Sequence, residues 1–167
     1  MELTGKLETA FNEQVTLELE ASVVYRQLAI AMDAKDLPGI AGWFRAQSDE
    51  EIVHAEKFIA HMSDRSAQAQ IGDIAAPKVT ANTVLEAFEA SLAHEEKVSE
   101  SIRGLYRLAH EVGDIDSVPL LHWFIDEQLE EEASVGEIIG RVKLIGEDGN
   151  GLLRLDAELG SRDGADQ

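Results

Sequence analysis

Residues 48–56 read SDEEIVHAE. Five of the nine can carry charge, yet the stretch lies on an apolar stripe. Ile40, Phe44, Gln47, Glu51, His54 and Phe58 follow one another at steps of three and four, which is one face of a helix. Two ionisable side chains, Glu51 and His54, therefore stand where the same face carries Phe44 and Phe58. A helix that turns this face to a core must supply those two groups with partners there, because an unpartnered buried polar group is costly.

Three further stretches repeat the pattern. From about Thr4 to Ala34 the stripe is Leu7, Phe11, Gln14, Glu18, Ala21, Tyr25, Leu28 and Met32. From near Thr83 to Gly113-Asp114 it is Leu85, Phe88, Leu92, Glu95, Val98, Ile102 and Leu105. From Asp116 or Ser117 onward it is Phe124, Gln128, Glu131, Val135, Ile138, Val142 and Ile145, until GEDGNG (Gly146–Gly151) breaks it. The helix of the opening stretch follows the turn DLPG (Asp36–Gly39) and runs to about Asp64; Asp36 reads as its N-cap and Pro38 fits its first turn. Thr83-x-x-Glu86 fits a capping box. Residues 65–79, RSAQAQIGDIAAPKV, contain Gly72 and Pro77 and read as a long connection.

Short turns make antiparallel neighbours, so the chain is predicted to be all-α, a four-helix bundle of two hairpins with one long crossover. Its helices, of about 28 residues, would be roughly 42 Å long. LLRLDAEL (Leu152–Leu159) is too short to span such a bundle and is expected to pack against its end or against another subunit. One domain is expected over residues 1–160, with a polar tail at 161–167.

The chain has 167 residues, enough for one substantial core, and a formal charge of −19 from 33 acidic and 14 basic residues. That sign argues against a protein that grips nucleic-acid phosphates; it attracts cations, or simply aids solubility. There are no cysteines, which removes disulfides, thiolate metal sites and cysteine nucleophiles. MELTGKLETAFNEQ has no apolar signal core, and no apolar run approaches the roughly 20 residues of a membrane span. A soluble, cytoplasmic protein without nucleic-acid or membrane partners is expected.

The two hairpins align at an offset of 77 residues: Glu18 maps to Glu95, Glu51 to Gln128 and His54 to Glu131. Each helix thus breaks its stripe at one common level. Burying an ion costs several kcal/mol even after relaxation. Four carboxylates, Glu18, Glu51, Glu95 and Glu131, would together exceed the roughly 5–15 kcal/mol stability of a domain. No lysine or arginine stands in the stripes at that level. Protonation or internal water relieves part of the cost; bound cations relieve more and give the arrangement a use. Four carboxylates and one imidazole suit hard or intermediate ions. Their charge exceeds what one divalent ion needs, and two ions bridged by a carboxylate would fit. Glu-x-x-His on one helix face, with a carboxylate at the same level on each other helix, is the pattern of di-iron and di-manganese bundles.

NEQVTLELEASVVY (Asn12–Tyr25), DEEIVHAEKF (Asp49–Phe58), AHEEKV (Ala93–Val98) and HWFIDEQLEEE (His122–Glu132) resemble the four helices of bacterial non-haem ferritins, collinearly from about residue 5 to 160. The resemblance implies a ferritin-like four-helix bundle whose residues 152–159 form a short fifth C-terminal helix lining the four-fold contacts of a shell of 24 subunits. It implies iron storage through ferroxidase chemistry, with Fe(II) and O2 or H2O2 as reactants. Glu18, Glu51 and His54 would hold the first iron. Glu51, Glu95 and Glu131 would hold the second, with Glu51 bridging, Gln128 close by and Tyr25 beside the centre. Glu50, Glu127 and Glu130, with Glu131, would form a third iron site.

Two departures separate the chain from similar families. Bacterioferritins carry a second Glu-x-x-His on the fourth helix, where this chain has Glu127-x-x-Glu130 and Gln128-x-x-Glu131, and they use a methionine for haem where this chain has Ile52. No haem is expected. Mini-ferritins that shield DNA build their site between subunits and lack a helix after the fourth. Other readings of the same residues are a soluble di-iron oxidase or peroxidase that stores nothing, a zinc or manganese site, and a non-catalytic helical interaction protein. His61, His94, His110 and His122 read as surface or structural residues, Trp43 and Trp123 as packing, and Asp49, Glu56 and Glu132 as solvated acids.

Overall fold

The structure is a computed structural model that describes residues 2–161. Five helices follow in order: α1 Gly5–Asp33, α2 Pro38–Asp64, α3 Val84–Val112, α4 Val118–Ile145 and α5 Gly149–Gly160. The first four form the expected bundle. α1 pairs with α2 and α3 with α4, while α1 also packs on α3. The crossover between α2 and α3 runs beside α1. The Gln70 N–H donates to Asn12 Oδ1 at 2.7 Å and the Gly72 N–H to Thr16 Oγ1 at 2.9 Å. These bonds satisfy backbone groups that the crossover, having no regular structure, cannot pair internally. Among the described residues no helix is long and apolar enough to cross a membrane. The expected tail, apart from Ser161, lies outside the described residues.

The helix ends follow the sequence signals in part. Thr83 caps α3, its hydroxyl accepting from the Glu86 N–H at 3.1 Å. Glu86 Oε2 returns a bond one residue earlier than a capping box requires, to the Asn82 N–H at 2.7 Å. Asp36 does not cap α2. It sits at φ +58°, a left-handed position that Asp tolerates in turns, and Leu37 occupies the N-cap position. The α2 amides are served from a distance instead: the Ile40 N–H donates to Asp156 Oδ1 of α5 at 2.8 Å. The break after α4 is shorter than GEDGNG suggests. Asp148 accepts from the Asn150 and Gly151 N–H groups at 3.1 and 3.2 Å, so that α5 already starts at Gly149.

α5 packs mainly on α2. The two backbones meet at Gly39 and Gly160. A Cβ at Gly39 would lie 1.8 Å from the Asp156 carbonyl oxygen, so only glycine permits this approach.

The apolar interior falls into two clusters. Tyr25, Leu28, Met32, Ile40, Phe44, Phe88, Val135 and Ile138 belong to the one beside α5. Leu7, Phe11, Phe58, Met62, Val98, Ile102, Leu121 and Phe124 belong to the other. All five phenylalanines of the chain are buried, and full burial of such a side chain contributes about 1.5–3 kcal/mol. These two clusters flank the level at which every stripe turns polar.

Candidate metal centre

Each bundle helix brings its polar break to the same layer. α1 contributes Glu18, 0% exposed, α2 Glu51 and His54 at 1% and 2%, α3 Glu95 at 0% and α4 Gln128 and Glu131 at 3% and 8%. The 77-residue repeat therefore corresponds to a real level in the bundle.

Glu18, Glu51 and His54 gather: each presents a donor atom within 4.8 Å of the other two. His54 Nδ1 lies 3.4 Å from Glu51 Oε2. Glu18 Oε2, Glu51 Oε2 and His54 Nδ1 are all buried without a hydrogen-bond partner. Buried polar atoms are almost always satisfied, so orphaned atoms on three residues that gather in one place fit a cation. The remaining oxygen of Glu18 accepts from Gln14 Nε2 at 2.8 Å, and Ser101 Oγ donates to Gln14 Oε1 at 2.5 Å.

Glu95 and Glu131 lie in the layer but outside this trio. The Tyr25 hydroxyl donates to Glu95 Oε1 and accepts from Ser91 Oγ at 3.0 Å. Gln128 Nε2 donates to Glu95 Oε2 at 3.0 Å, and Gln47 Nε2 donates to Glu131 Oε2 at 3.0 Å. The expected second set, Glu51 with Glu95 and Glu131, is thus present as buried carboxylates, two of them anchored by amides and a phenol.

Electrostatics agree with the geometry. Burial pushes the Glu18 carboxyl well above the ordinary 4.5, and the Glu51 charge adds to the rise. Glu51 rises likewise from burial and from Glu95 and Glu131. Burial raises Glu95 despite the bonds from Tyr25 and Gln128. Glu131 is pushed up to about 8 by burial, then by Glu95 and Glu50. Burial, and then the Glu95 charge, raises the Tyr25 hydroxyl well above its ordinary 10, so it remains a donor. Proton and metal ion therefore compete for the same carboxylates.

A second set gathers next to the first: Glu50, His54 and Glu127 also offer donors within 4.8 Å of one another. His54 Nε2 lies 3.9 Å from Glu127 Oε1. Glu50 and Glu127 are half-buried, whereas Glu130 is exposed and lies outside both sets. Trp123, read from sequence as packing, stands edge-on to the His54 ring at 5.8 Å, as Phe124 does at 5.6 Å.

Sequence reading passed over Gln14, Gln47 and Ser91 as functional residues. The signal was available for the two glutamines, which break the stripes one turn before Glu18 and Glu51. None of the other four histidines joins either donor set. His61, for example, stacks on Phe11 and bonds Ser117 Oγ at 2.9 Å. Nor does a surface cavity of about 1020 Å³ beside α5 include any residue of the polar layer.

Among known proteins, residues 8–145 match the family model described as a ferritin-like domain. The chain is 34% identical over 160 residues to the bacterial non-heme ferritin of Staphylococcus aureus (strain MRSA252), covering 96% of both chains. It is 35% identical over 160 residues to that of Staphylococcus epidermidis, with the same coverage. Its backbone superposes on an open pore ferritin from the hyperthermophilic archaeon Archaeoglobus fulgidus with a TM-score of 0.93, at 33% identity, over 95% of this chain and 98% of that one.

Proposed function

Because this chain belongs to the ferritin family, we propose that it stores iron and that its polar layer is a ferroxidase centre. Iron is here the substrate and the cargo. Glu18, Glu51 and His54 receive one Fe(II); Glu51, Glu95 and Glu131, with Gln128, receive the other. Two Fe(II) each give up one electron, and one O2 with two protons becomes H2O2. Hard carboxylate oxygens favour Fe(III) over Fe(II). The chain's own residues orient and insulate this chemistry. Gln14 turns Glu18, Gln47 turns Glu131, and Tyr25 with Gln128 holds Glu95. The flanking apolar clusters exclude bulk water.

The observation that carries this reading is the trio of orphaned buried donor atoms on Glu18, Glu51 and His54. Product then leaves the centre and accumulates as ferric mineral inside a homo-oligomeric shell, taken as 24 subunits by family likeness. Exposed apolar side chains at the α4 and α5 ends, Leu144 at 89% and Leu153 at 59%, support association of subunits there. A cytoplasmic setting suits a chain without cysteines.

The test is aerobic addition of Fe(II), followed by optical detection of Fe(III) and elemental analysis of the recovered particle. The wild type oxidises Fe(II) rapidly and retains far more iron than its centres can hold. Glu51→Ala with His54→Ala slows the initial oxidation by at least an order of magnitude. Oxidation as fast in that variant as in the wild type would refute the centre. Rapid oxidation with retention of only the centre's own ions would mark a di-iron oxidase rather than a store.

A further inference from the structure

We infer that Glu132, acting through Ser99, is a positioning residue that fixes which end of the Gln128 side-chain amide is offered to the second metal ion. The inference rests on reading Glu95 and Gln128 as holders of that ion. Sequence position suggests a solvated acid for Glu132, but its side chain is only 28% exposed.

Helical register sets two rungs between α3 and α4. Glu95 and Ser99 stand one turn apart on α3, and Gln128 and Glu132 one turn apart on α4, so each pair shares a helix face. Glu95 meets Gln128 on the first rung, and Ser99 meets Glu132 on the second. Gln128 also joins the rungs. Its Nε2 donates to Glu95 Oε2 at 3.0 Å, to the Glu95 carbonyl oxygen at 3.3 Å and to Ser99 Oγ at 3.3 Å. All three bonds leave from the nitrogen, so Oε1 is the end left for an ion. The difference matters because an amide meets a cation through its oxygen, whereas its NH2 group offers only donors.

A hydroxyl both donates and accepts, so a serine by itself receives either end of an amide. Ser99 lacks that freedom. Its one proton goes to Glu132 Oε1, which leaves only lone pairs for Gln128, and lone pairs select Nε2. Ser99 is 1% exposed, so bulk water does not compete for that proton. Arg103 Nη2 lies 3.6 Å from the same Glu132 oxygen. That is too long for a hydrogen bond, but the opposite charge helps to keep the carboxylate in place. Glu95 attracts Nε2 as well, yet its oxygens are the ones an ion would take. Ser99 is not a ligand, and its hold on the amide persists when Glu95 is engaged.

Anaerobic Co(II) titration of the assembled protein tests this without iron chemistry. Circular dichroism and size-exclusion chromatography establish the fold and assembly of each variant. The step of the wild-type isotherm that Glu95→Gln removes marks the second position. Glu132→Leu should weaken that step at least about tenfold and leave the others unchanged. Ser99→Ala breaks the same link with a smaller change of shape. It should give a similar loss, and the two changes together should cost no more than one alone. Glu132→Gln keeps a carbonyl for the Ser99 proton, with Arg103 beside it to disfavour the NH2 end, and should bind as wild type does. Gln128→Glu is the decisive background: a carboxylate has two like oxygens and no wrong end, so adding Glu132→Leu there should change nothing.

Full binding in both Glu132→Leu and Ser99→Ala, an equal loss at every step, or a loss that persists in the Gln128→Glu background overturns the inference. Glu132→Gln binding as weakly as Glu132→Leu does so too, because charge and not amide orientation would then be the cause. A wild type from which Glu95→Gln removes no step is a different result: it refutes the second metal position itself, and the inference with it.

Discussion

Replacing Glu131 by Gln should stabilise the protein when no metal is bound, and by more as the pH rises. The Glu131 carboxyl is only 8% exposed, and burial with its acidic neighbours moves it from the ordinary 4.5 to about 8. The sign follows from proton counting. Below pH 4.5 the side chain is protonated in both the folded and unfolded states and contributes no difference. Between 4.5 and 8 the unfolded chain releases a proton that the folded chain keeps, so stability falls as pH rises. Above 8 the loss is complete. At 1.36 kcal/mol per pH unit, the 2.5 units up to pH 7 correspond to roughly 3 kcal/mol, and the full 3.5 units to roughly 5 kcal/mol. Glu95 and Glu50 share this field, which makes both figures upper bounds. A glutamine cannot ionise, and its carbonyl still accepts the bond that Gln47 donates at 3.0 Å. For a chain of this size 1 kcal/mol shifts the melting temperature by about 2–4 °C. EDTA-treated wild type and Glu131→Gln are to be melted side by side, at one protein concentration, at pH 5 and pH 8. The variant should melt several degrees higher at pH 8 and nearly level with wild type at pH 5. Saturating Zn(II) should reverse the order, because only the wild type recovers stability by giving that carboxylate an ion. An equal gap at both pH values, or a less stable variant at pH 8, would refute the account of a layer held against its own charge.

Tyr25→Phe deletes the donor to Glu95 and the acceptor for Ser91; it should cost about 1–3 kcal/mol of stability, read from denaturant midpoints of EDTA-treated protein, and an unchanged midpoint counts against the hydroxyl's anchoring role. Gly39→Ala drives a methyl group into the Asp156 carbonyl and should detach α5 from α2, seen as faster proteolysis within residues 149–160 and a change in assembly on size-exclusion chromatography. A variant as resistant and as assembled as wild type would show that the glycine contact is not required.

The four helices and their common polar level were legible in the chain because both depend on local spacing. Steps of three and four residues define a face whatever packs against it. A turn of few residues forces the next helix to run back beside the last. Glu18, Glu51, His54, Glu95 and Glu131 stood out because each breaks an apolar stripe, and burial of that many acids at one level calls for a counter-charge. Side chains that act across helices left weaker traces. Ile40 finds its cap at Asp156, 116 residues away, where no periodicity could point, and Asp36, which has the right identity for that cap, is turned away by its left-handed backbone. Glu127 and Glu130 sit one turn apart on α4 and are the same residue type, so spacing alone cannot rank them. Only the packed bundle, with His54 held between Trp123 and Phe124, decides that Glu127 faces the imidazole and Glu130 faces solvent. Residue spacing determines which groups share a level; which donor atoms meet within it depends on rotamers that neighbouring helices impose.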